Sequence, residues 1–137
     1  MKMLTRTCRT ACGVLILALE EHCRDVRIRL QMLGLQESDP IFVSVGSMSP
    51  SKDTLAALSK FVVANGIKLL IVDTLAALWR VDDENDAAAV TKAVKPLLAL
   101  ARESGACVLL SHHARKSEGV FGDEIRGSGA LFALADV

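Results

Sequence analysis

Three apolar runs in this chain end in side chains that can do chemistry. Leu17-Ala18-Leu19 leads into Glu20-Glu21, Lys68-Leu69-Leu70-Ile71-Val72 into Asp73-Thr74, and Cys107-Val108-Leu109-Leu110 into Ser111-His112-His113. A partly basic, glycine-containing stretch follows the last run, with Arg115, Lys116 and then Arg126-Gly127-Ser128-Gly129. Strand-end carboxylates can hold a metal and orient a water, and nearby bases can neutralise phosphate charge. Asp73 is the focal residue. A carboxylate there suits a hydrated Mg²⁺ shared with nucleotide phosphates, because Mg²⁺ takes one or two protein oxygens and keeps its waters.

Such groups need elements to hold them. Short, aliphatic, uninterrupted runs bounded by glycine and polar residues read as strands buried on both faces of a parallel sheet. Strands are expected over 13–19, 41–45, 68–73 and 106–111. Helices are expected between them. One covers 22–33, with Val26, Leu30 and Leu33 on its apolar face and Gly34 as its stop. A second, capped by Ser51, runs to about 64 with Leu55, Leu58, Phe61 and Val62 facing inward. The longest covers 85–103, with Pro96 expected to kink it. Residues 37–40 read as a turn, 74–84 as a connector carrying Trp79 and an acidic cluster, 114–127 as a loop and 128–135 as a short helix. The βαβαβαβ order predicts an α/β fold, a three-layer α/β/α arrangement around a mostly parallel sheet with right-handed crossovers. Parallel strands put their carboxyl ends on one side, where open α/β sheets bind ligands. The three polar strand ends are therefore expected on a single rim.

Composition narrows the function classes. Acids and bases balance to zero net charge over 137 residues, so no global field favours nucleic acid and any such contact must be local. Cys8, Cys12, Cys23 and Cys107 match no zinc spacing, and a chain that is 51% hydrophobic has no need of disulfides. Cys107, inside an expected strand, reads as a small hydrophobe. Lys2, Arg6 and Arg9 before the apolar stretch loosely mimic a signal peptide. Glu20-Glu21-His22 follows with no small-residue cleavage site, and the stretch is too short to span a bilayer. A strand, a cytoplasmic location and no membrane partner are expected.

Four segments together resemble a known group: Leu17-Ala18-Leu19-Glu20-Glu21, Leu69-Leu70-Ile71-Val72-Asp73-Thr74-Leu75, His112-His113-Ala114-Arg115-Lys116 and Arg126-Gly127-Ser128-Gly129-Ala130-Leu131. Their order and spacing are similar to those of RecA-like ATPases, in particular the RepA-type plasmid and phage replicative helicases and their AAA-labelled relatives. The resemblance implies ATP and Mg²⁺ as cofactors. It implies Glu20 as the carboxylate that polarises the attacking water, and Asp73 as the Walker B aspartate behind Mg²⁺ with Thr74 as its supporting hydroxyl. His113, with His112 beside it, resembles the sensor of the γ-phosphate. Arg126 resembles an arginine finger offered to the next subunit of a homo-oligomeric ring. Arg115 and Lys116 lie where the family faces nucleotide or single-stranded DNA. One feature departs: the family's Gly-x-x-x-x-Gly-Lys-Ser/Thr loop is absent, and no Gly-Lys pair occurs anywhere. A partial RecA-like ATPase core over 13–137, behind an irregular 1–12, is the expectation, with no useful ATP turnover from this chain alone.

Plainer roles exist for the same residues. Glu20 and Glu21 could favour the N-terminus of the next helix, and Asp73-Thr74 could cap the next turn. His112 could face the core, since consecutive strand residues point to opposite sides. Arg115 and Lys116 could be a solvated loop, the acids over 82–86 a solvated helix start, and Trp79 a packing residue. Two other functions compete. One is a non-catalytic interaction module pairing through an exposed sheet edge. The other is an α/β hydrolase using His113, for which no Gly-x-Ser-x-Gly elbow follows a strand.

Overall fold

The computed structural model describes residues 12–48, 51–78, 87–111 and 134. Four strands form one parallel sheet: β1 (Gly13–Ala18), β2 (Ile41–Val45), β3 (Ile67–Asp73) and β4 (Cys107–Leu110). Their order across the sheet is β2-β1-β3-β4. Helices α1 (Cys23–Met32), α2 (Lys52–Ala64), α3 (Leu75–Leu78) and α4 (Ala87–Ser104) connect them. The step from β1 to β2 runs one way across the sheet, and the steps β2 to β3 and β3 to β4 run the other way. Right-handed connections then place α1 on one face and α2 and α4 on the opposite face. This is the expected three-layer α/β/α arrangement, and the described sheet is wholly parallel.

The helix boundaries follow from local chemistry. Ser51 caps α2, its hydroxyl accepting the Thr54 N–H at 3.1 Å. Gly34 follows α1 at φ +84°, a conformation glycine adopts without a Cβ penalty. Its N–H donates to the Gln31 carbonyl at 2.9 Å. The turn over 37–40 forms with the Asp39 carboxylate accepting the Gln36 N–H at 2.7 Å. At the far end of α4, Lys68 Nζ donates to the Ser104 carbonyl at 3.4 Å, a cation at the negative end of a helix.

The two faces of the sheet differ sharply. Towards α2 and α4, Leu17, Leu70 and Val72 are fully buried against Leu58, Val62, Val90 and Leu97. Towards α1, the alternate residues Ile16 and Ile71 are only half-buried, and Leu109 is 55% exposed. On this side, α1 buries Val26 but leaves Met32 and Leu33 exposed.

Several expectations are corrected by this asymmetry. Leu33 is the C-cap of α1 and 78% exposed rather than part of a covered stripe. Cys107 is exposed because β4 is an edge of the described sheet and no described helix covers its α1-side face. Phe61 is partly exposed, packing edge-on against Phe42 with ring centroids 5.2 Å apart. Leu19 leaves the strand for the turn that carries Glu20, and the connector after Asp73 begins with the helical turn α3. No helix among the described residues is long and apolar enough to cross a membrane.

Candidate functional site

The direction in which the chain winds reverses between β1 and β3. At such a switch point the connections leave a crevice beyond the carboxyl ends of the strands. Glu20 and Glu21 follow β1, Asp73 ends β3, and Ser111 follows β4. Backbone hydrogen bonds lock these ends side by side. The Leu19 N–H donates to the Asp73 carbonyl at 2.9 Å, the Ser111 N–H to the Val72 carbonyl at 2.9 Å, and the Leu75 N–H to the Ser111 carbonyl at 3.0 Å. In register, Ala18 pairs with Asp73 and Val72 with Leu110.

Thr74 joins the pieces. Among the described residues it is the buried polar one, 5% exposed. Its hydroxyl donates to Glu20 Oε2 at 3.3 Å and accepts the Ala77 N–H at 3.2 Å. One oxygen therefore starts α3 and tethers a carboxylate from 54 positions upstream. Of the plainer roles weighed above, the cap is present at Thr74, on the Ala77 N–H. The Asp73–Thr74 peptide bond is cis. Asp73 is half-buried at the rim.

The paired acids part company. Glu20 turns to Thr74, whereas Glu21 pairs with the Arg29 guanidinium from the second turn of α1. Neither caps α1: its N-cap is His22, which makes no side-chain cap bond. Glu21, Arg29 and Asp73 also border a cavity of about 480 Å³ between α1 and the sheet, whose walls are aliphatic, including Ile16, Ile71 and Leu109. Arg29 was no sequence candidate. Its one signal is position, three residues after buried Val26 and one before half-buried Leu30, at the border of the apolar stripe.

The donor set bears on the metal. No three His, Cys, Asp or Glu side chains among the described residues converge into a cage. An exposed Glu20 and a half-buried Asp73 instead suit Mg²⁺, which needs few protein oxygens and takes the rest from water and phosphate. The structure thus brings Glu20, Asp73 and Thr74 together. His112, His113, Arg115, Lys116 and Arg126 lie outside the described residues, as do Trp79 and the acids over 82–86.

A family model described as an AAA domain matches residues 3–119, most of the chain. No curated protein matches it significantly.

Proposed function

The chain belongs to the AAA-domain family, whose members are P-loop ATPases, and from that premise we propose that it supplies the acidic rim of a RecA-like, RepA-type ATPase of a DNA helicase or replication protein. The hydrogen bond from Thr74 Oγ1 to Glu20 Oε2, across the ends of adjacent strands, carries this reading. Glu20 remains exposed to solvent while its carboxylate is held in one direction, as a group that orients an attacking water must be. Asp73, one residue from Thr74, holds Mg²⁺. When bound, that ion neutralises charge on the phosphates. On this reading His113 with His112 would sense the γ-phosphate, Arg126 would serve the neighbouring subunit as an arginine finger, and Arg115 and Lys116 would bind nucleotide or single-stranded DNA. In the assembled ring, hydrolysis drives movement along the strand.

These 137 residues contain no Gly-Lys pair. Without a backbone cradle and its lysine, the phosphates lose their main contacts. Titration of the chain with Mg·ATP, followed by amide NMR, tests both statements. Weak binding with shifts centred on Asp73 and Thr74, lost in Asp73→Asn, is expected, with no steady turnover. Tight ATP binding contradicts the missing cradle, and shifts remote from Glu20 and Asp73 contradict the site.

One observation favours a second reading. β4, an edge of the described sheet, carries no charged residue and exposes Leu109, which suits strand pairing with another chain. Concentration-dependent oligomers that ignore nucleotide would support that reading over the first.

A further inference from the structure

We propose that Arg29 is a positioning residue that divides the labour of the two adjacent carboxylates, engaging Glu21 so that Glu20 alone serves the rim. The inference rests on the site reading above. Glu20 and Glu21 are consecutive, equal in charge and carried by one turn, so the backbone does not distinguish their chemistry. Their partners do. Glu20 meets a buried hydroxyl on β3, and Glu21 meets a guanidinium on α1. Glu21 and Asp73 border the same cavity, with Arg29 also lining it. Removing the guanidinium would leave the Glu21 and Asp73 carboxylates beside one opening without the cation that, among the described residues, lines it with them.

The consequence concerns when the metal binds. Mg²⁺ is held weakly by one carboxylate and its waters, and more firmly as carboxylates are added. With Glu21 engaged, the rim offers a free cation Asp73 and the tethered Glu20 but no third carboxylate. Binding then awaits the phosphate oxygens, so the ion arrives with nucleotide rather than ahead of it. Glu21 released from Arg29 becomes an extra ligand or at least an added negative charge, and the nucleotide-free rim captures the cation.

Mn²⁺ is a suitable probe, because its paramagnetism broadens the amide signals of nearby residues in the nucleotide-free chain. Arg29→Gln is expected to tighten Mn²⁺ binding about three- to tenfold, the scale of one charge acting at a partly solvated site. Adding Glu21→Gln in the same chain should abolish that gain, and Arg29→Lys should restore wild-type behaviour. An unchanged affinity in Arg29→Gln, a gain that survives Glu21→Gln, or no Mn²⁺ binding by Arg29→Gln at all each overturns the proposal. Asp73→Asn separates the two ideas. Broadening near residue 74 that persists in Asp73→Asn sinks the Mg²⁺ role of Asp73, while the Glu21-dependent gain still reports on Arg29.

Discussion

Thr74 shows how much one hydroxyl can carry. A valine of the same shape would keep the packing but lose two hydrogen bonds, leaving the Ala77 N–H without its cap and Glu20 without its tether. The cost follows from the lost cap and from the part-buried donor left without its partner. Thr74→Val should destabilise the fold by about 1–2 kcal/mol in urea unfolding, on the cap and hydrogen-bond scales. Thr74→Ser, which keeps the oxygen, should stay within about 0.5 kcal/mol of wild type. The strand-end acids were legible as candidates because a carboxylate after an aliphatic run stands out. The Thr74–Glu20 pairing was not, since nothing local links residues 54 positions apart.

At the scale of elements, the start of β1 lies close against the chain entering β3 at Gly13. A Cβ there would lie 2.8 Å from Ile67 Cδ1, 3.0 Å from the Asn65 carbonyl oxygen and 3.2 Å from that of Gly66. The side chain could yield, but the two carbonyls belong to the backbone of the turn between α2 and β3. Gly13→Ala should therefore cost about 1–3 kcal/mol by overpacking, read from thermal or urea unfolding. Pairing it with Ile67→Val should recover only part, because the carbonyl contacts remain. The strands themselves were readable: runs such as Gly13-Val14-Leu15-Ile16-Leu17-Ala18 are aliphatic throughout, as buried parallel strands must be. The turn α3 escaped notice because Leu75-Ala76-Ala77-Leu78 is too short to show a period, and it rests on the Thr74 cap.

Across the described part of the molecule the sheet has one closely packed face and one more open one, and sequence pattern does not tell them apart. Leu70 and Leu109 are both strand leucines, yet they are 0% and 55% exposed. Leu70→Ala should cost about 2–5 kcal/mol, as a fully buried leucine does. Leu109→Ala should move stability by no more than about 0.5 kcal/mol. Similar losses at both positions in equilibrium unfolding would mean that the α1 side is covered after all. Coverage depends on which helix crosses which face, a property of the winding and not of any residue, so the exposed Leu33 and Cys107 looked internal when read from the chain. The winding has a temporal consequence too. The two halves of the acidic rim come from opposite ends of a long detour through β2 and α2, so closing that loop must precede the Thr74–Glu20 bond. During synthesis Glu20 therefore waits without its partner until β3 has emerged and found its place beside β1.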